Sequence, residues 1–110
     1  MPYNTVLEER IDALLGRIGP MIKKHMFGGI GYMTDNKMCF GIHKESLVLR
    51  TTPEKAEDLL KTGVARPFDI TGRPMKGWVL ISDDPVKTED ALLDYLRLGW
   101  EFARSLESKS

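Results

Sequence analysis

The chain has 110 residues, 42% hydrophobic and 29% charged, with 16 basic residues balancing 16 acidic ones. That length makes one domain over residues 1–110 whose core needs no disulfide; no apolar run nears the ~20 residues of a membrane span, and no charged-then-apolar leader opens the chain. Zero net charge argues against a strong non-specific nucleic-acid binder, because phosphate neutralisation dominates that affinity, and the lone Cys39 excludes an internal disulfide and fits a reducing cytoplasm.

Asn4 is a good helix N-cap, and Val6, Leu7, Ile11, Leu14, Leu15 and Ile18 follow at spacings of three and four. They form one apolar stripe, with Glu8, Glu9, Asp12 and Arg17 mostly opposite it. Gly19-Pro20 ends the helix. Four extended segments come next. The first, 21–27, is partly polar, and 29–34, 37–43 and 46–51 follow it. Asp35-Asn36 and Lys44-Glu45 join the last three as two-residue turns, and Asp and Asn tolerate the positive φ such turns need. If both turns hold two residues, Tyr32 faces Cys39 and Cys39 faces Arg50. Met33, Met38, Phe40, Ile42, Leu47 and Leu49 then share one apolar core face. Ile30, Tyr32, Cys39, Gly41, His43, Val48 and Arg50 share the other, which is either partly exposed or a binding surface.

A second helix is marked by Thr52 as N-cap, Pro53 at its first position and Gly63 beyond its last turn. An irregular stretch runs from Arg66 to Gly77, with Phe68 and Ile70 alternating around Asp69 and a turn at Thr71-Gly72-Arg73-Pro74. Trp78 to Ile81 reads as a short strand. The last helix runs from about Thr88 to Leu106 and is apolar over most of its circumference. Its polar residues, Asp94, Arg97, Glu101 and Arg104, form one narrow stripe. The rest must meet another helix, the Arg66–Gly77 loop or a second copy of the chain. Together the elements predict an α+β fold: a largely antiparallel sheet of about five strands packed with three helices, in the order α-β-β-β-β-α-β-α.

The chemistry-bearing residues are few. Cys39 and His43 lie four strand residues apart, about 13 Å, too far for a catalytic dyad. Two histidines and one cysteine without paired spacing make no zinc site. Gly28-Gly29-Ile30-Gly31 lacks the phosphate-loop pattern and feeds a strand, so its glycines are read as permitting a bulge or a close backbone approach. No catalytic residue, metal or cofactor is expected. Between Pro20 and Gly77 there are ten Lys or Arg against six Asp or Glu. Within that basic centre Arg66, Arg73 and Lys76 fall in one loop beside Trp78, and with Arg50 and Tyr32 they make a candidate site for a small anionic ligand or nucleic acid. The alternative is that these cations only close the loop. Tyr95, Trp100 and Phe102 of the last helix are the candidates for self-association.

Several ordered motifs carry a family resemblance. Lys24-His25-Met26-Phe27-Gly28-Gly29 precedes Gly31-Tyr32-Met33, then Met38-Cys39-Phe40-Gly41-Ile42 and Leu47-Val48-Leu49-Arg50. Ala65-Arg66-Pro67-Phe68, Gly72-Arg73-Pro74-Met75-Lys76-Gly77-Trp78-Val79 and Trp100-Glu101-Phe102-Ala103-Arg104-Ser105-Leu106 complete the series. From about Thr5 to Leu106 the chain resembles the N-terminal domain of the TfoX/Sxy family, bacterial proteins named for competence regulators. The resemblance implies an α+β fold, no established reaction, and a regulatory or protein-interaction role. The longer regulators add a helical C-terminal domain, so the expectation is a stand-alone N-terminal domain.

Overall fold

A computed structural model of the chain describes residues 3–26, 28–68 and 76–106. Helix α1, Thr5–Leu14, starts where Asn4 Oδ1 accepts from the Leu7 N–H at 3.0 Å, and it buries Leu7, Ile11 and Leu14. Helix α2, Pro53–Lys61, starts at Thr52, whose hydroxyl accepts from the Lys55 N–H, and gives way to Gly63 at φ 81. Helix α3, Glu89–Ser105, is capped by Thr88 in the same way. In each case a short polar side chain satisfies one of the amides that a first helical turn leaves without a partner.

Among the described residues six strands make one antiparallel sheet: β1 Ile22–Met26, β2 Gly29–Thr34, β3 Lys37–His43, β4 Ser46–Arg50, β5 Ala65–Pro67 and β6 Trp78–Ile81. Their spatial order is β1-β2-β3-β4-β6-β5. The fold is therefore α+β with three helices, as expected, but with one strand more than the five predicted. The extra strand is β5, part of which falls in the stretch read as irregular. Three residues ending in proline are too few to show a period. The extended piece predicted around Asp69 and Ile70 lies outside the described residues.

The Asp35-Asn36 turn follows its residue chemistry, whereas Lys44 takes a left-handed conformation its residue type does not favour. Asp35 and Asn36 take φ of 52 and 63, and Lys44 takes 56, the left-handed values that favour tight hairpins. Met26 pairs with Gly29 across a two-residue connection in which Gly28 has φ 73, so the glycine run opens a hairpin.

The register of β2 against β3 departs from the expected one. Met33 pairs with Met38, yet Tyr32 pairs with Phe40, and the shift between them leaves Cys39 as the extra residue of a β-bulge. One added residue turns every side chain beyond it to the other face. Ile30 and Tyr32 thus enter the core with Phe40, Ile42, Leu47 and Leu49, while Met38 leaves it. Tyr32 is 0% exposed, not displayed on the mixed face.

The buried residues of all three helices join the same cluster as these inward side chains, together with Ala65, Val79 and Ile81. Among the described residues the sheet therefore carries its helices on one face only. Gly99 lets α3 lie directly on the β3 bulge, where an added Cβ would strike the Cys39 carbonyl oxygen. On the helix-free face Val48, Phe68 and Leu80 form a second, smaller cluster with Met38 and Trp78.

Candidate functional site

The helix-free face is built by the alternation of the strands. Gly31 and Gly41 leave a trough there, and methionine side chains lie across it. A Cβ on Gly31 would sit 3.0 Å from Met26 Cε and 3.5 Å from Met38 Sδ. Methionine is flexible and polarisable, which suits a surface that must adapt to what it meets. His43 packs edge-on to Phe68 at 5.8 Å between ring centroids, and Phe68 lies 6.0 Å from Trp78. Burial first, and then the Lys44 charge, hold the His43 imidazole below its ordinary pKa, so it is an uncharged flat ring at neutral pH. Met26, Met38 and His43 are half-buried around this cluster. The sequence pattern missed the methionine pair, because the bulge that exposes Met38 is not a periodic signal.

The expected cations are not gathered at one point. The Arg50 guanidinium lies 5.1 Å from the Trp78 ring centroid and 5.4 Å from that of Phe102, so it is held by two aromatic rings. Arg66 donates to Ser46 Oγ at 2.8 Å and lines a concavity of about 410 Å³ that also contains Glu45 and Asp83. Lys76 lines a different one, about 380 Å³, whose walls include Glu54, Glu57, Leu60 and Trp78. Arg73 lies outside the described residues. Tyr32 is engaged elsewhere: its hydroxyl donates to Asp12 Oδ1 at 2.9 Å, and Lys23 Nζ bridges Asp12 and Glu8 at 2.9 and 2.7 Å. These contacts tie α1 to β1 and β2.

The three residues expected in self-association stand differently. Trp100 packs against Gly19 and under Arg104, 5.4 Å from its ring centroid, and Phe102 lies under Arg50. Part of the wide apolar surface of α3 is thus used within the chain. Tyr95 lines a shallow concavity of about 360 Å³ with Lys55, Pro85 and Leu98.

Cys39 is fully buried in the bulge, and burial pushes its thiol up from 9.0 to about 11, against smaller opposing effects of a backbone hydrogen bond at Thr34 and the Arg50 charge. At neutral pH it is protonated and enclosed, unlike a cysteine nucleophile. Among the described residues no three His, Cys, Asp or Glu side chains are grouped to hold a metal ion, and no helix is long and apolar enough to cross a membrane.

The raised pKa values make a prediction. Burial, and then the hydrogen bond to Asp12, raise the Tyr32 hydroxyl as well. Both groups are acids that the fold holds neutral. The unfolded chain loses the Cys39 proton near pH 9, so this contribution is whole below that pH and is lost as pH climbs toward 11. Tyr32 adds a further loss above about pH 10. In an alkaline titration followed by circular dichroism, Cys39→Ala flattens the fall in stability between pH 9 and 11 and leaves the later fall to Tyr32. Equal slopes for the two proteins across that window would contradict a buried thiol.

Residues 13–103 match the family model of the TfoX N-terminal domain. No curated protein matches the chain.

Proposed function

The chain belongs to the TfoX N-terminal domain family, and we propose that within it this domain is a regulatory binding module that recognises protein partners and catalyses no reaction. The observation that carries the reading is the one-sided architecture. Three helices cover one face of the sheet, and the opposite face presents half-buried Met26, Met38 and Trp78 around Val48, Phe68 and Leu80. An apolar surface beside polar groups is the usual form of a protein-recognition patch. The enclosed, protonated Cys39 supports a role without nucleophilic chemistry. Transcription or competence control is the process this family membership favours, with the specificity residing in the partner, and the reading places the domain in the cytoplasm.

A second copy is included among the partners by Tyr95, which with Leu98 lines open ground on α3. The runner-up reading, an anionic ligand or nucleic acid, rests on Arg50, which has aromatic neighbours and no ion pair among the described residues. Arg66 and Lys76 lie in separate concavities and lend it little.

Site-specific photo-crosslinking in living cells tests the reading. A photoreactive residue replaces Met38 on the helix-free face or Glu101 on the exposed stripe of α3. The expected result is a discrete protein adduct from Met38 and none from Glu101. Adducts from Glu101 alone, or nucleic acid in the Met38 adduct, would overturn it.

A further inference from the structure

Of the two sheet edges, β5 is short and ends at Pro67, which has no N–H to offer. The other edge, β1, is five residues long, contains no proline, and pairs only with β2 among the described residues. Its residues Ile22 to His25 are exposed and Met26 is half-buried. A strand with one free side can take another extended segment by main-chain hydrogen bonding, with side chains of alternate residues giving the selectivity.

The side chains say which segment fits. Lys23 and His25 point toward the helices: Lys23 is held by Glu8 and Asp12, and His25 lies 6.2 Å from the Tyr3 ring. Ile22, Lys24 and Met26 point the other way. Lys24 pairs with Gly31 and Met26 lies across that glycine, so both belong to the methionine-lined trough. Ile22 is 67% exposed, the largest fraction among the exposed large hydrophobics. Lys24 has no ion pair among the described residues. The free edge therefore offers apolar, cationic, apolar at successive positions on one face.

We infer that β1 is the docking strand for an extended partner segment of the pattern apolar-x-acidic-x-apolar, which adds to the sheet as a seventh strand with its acid opposite Lys24. A second copy is the poorer occupant. Two antiparallel β1 strands centred on each other would set Lys24 against its own copy, and like charges directly opposite are destabilising. A lysine on an open edge is a common guard against that self-pairing; here it also selects the partner by charge. The inference rests on the partner-binding reading above and names the chemistry of the partner.

The test uses the full chain and two blocked peptides, TITETIT and TITKTIT, labelled for fluorescence anisotropy. Both can extend a sheet, and they differ only in the central charge. The first is expected to bind the native protein about tenfold more tightly than the second, from one attractive pair exchanged for one repulsive pair. Lys24→Glu, an exposed substitution that leaves the core untouched, should reverse the preference. Equal affinities for the two peptides, or a preference that Lys24→Glu does not move, would overturn the inference. So would dimerisation in sedimentation that strengthens on Lys24→Ala, which would assign the edge to a second copy. If peptides fail while the Met38 crosslink to protein persists, the edge is refuted and the binding reading stands; if both fail, the reading itself falls.

Discussion

Replacing Gly99 by alanine will destabilise the domain by about 2 kcal/mol, although alanine is the better helix former. The intrinsic preference alone would stabilise α3 by about 1 kcal/mol. Against it stands the contact with the sheet. The new methyl group would strike the Cys39 carbonyl oxygen and lie 3.0 Å from Leu49 Cδ1. The leucine can rotate, but the carbonyl belongs to the backbone of the β3 bulge and cannot. Relief then requires α3 to lift from the sheet and loosen Leu92, Leu93 and Leu96, all at or below 3% exposure. Overpacking of this kind costs about 1–3 kcal/mol, and a backbone obstacle puts it near the top of that range. Urea denaturation measures the outcome. Gly16→Ala is the control, since nothing lies within 4 Å of its added methyl group, and it should leave the midpoint unchanged or raised. A Gly99→Ala midpoint at or above that of the native protein would mean that α3 does not rest on the bulge.

The same bulge separates what could be read in the sequence from what could not. The caps Asn4 and Thr52, the stop at Gly63 and the turn at Asp35-Asn36 are local chemistry, and each appears where its residue type predicts. The core members Phe40, Ile42, Leu47 and Leu49 follow from period-two alternation counted back from the Lys44 turn, which is uninterrupted over β3 and β4 from Phe40 to Leu49. Counting back from the Asp35 turn fails, because one unpaired residue at Cys39 changes the parity of everything upstream on β2. Met33 and Met38 are apolar enough to pass for core, and Tyr32 is polar enough to pass for surface. Composition alone could not show the shift. What fixes it is tertiary: Tyr32 gains an acceptor in Asp12 on α1, and Cys39 gains a helix seat at Gly99.

The candidate site was legible in fragments for a related reason. The sequence showed cations clustered in one stretch of chain, but cations close in sequence need not line one concavity. Arg66 sits on β5 and reaches Ser46, whereas Lys76 lies just before β6 beside α2. Conversely, Ile22, Lys24 and Met26 looked like an undistinguished polar strand. Their interest comes only from the position of β1 at the sheet edge and from the helix-free face it borders, and both are properties of the topology. Trp100 and Phe102 show the same logic on α3, where partners distant in the chain, Gly19 and Arg50, cover rings that the helix alone leaves bare.

The largest side-chain effect outside the apolar core is expected at Asp12. Its carboxylate accepts from the Tyr32 hydroxyl on one oxygen and from Lys23 on the other. Asp12→Ala takes the protein acceptor away from a tyrosine that is 0% exposed, and an unsatisfied buried donor costs about 1–3 kcal/mol. The lost ion pair adds less, because Lys23 is a third exposed and keeps Glu8. The expected total is about 2 kcal/mol. Glu8→Ala, which removes the other carboxylate of Lys23, should cost under about 1 kcal/mol and lose most of that effect at high salt. The decisive variant is the double one. Tyr32→Phe removes the donor as well as the bond, so Asp12→Ala on that background should be about 1 kcal/mol cheaper than on the native protein. Additive costs in the urea cycle would show that the hydroxyl finds water when Asp12 is gone. A positive coupling would show that α1 is locked to the sheet by this bond, and with it the strand β1 that Lys23 anchors from the inner face.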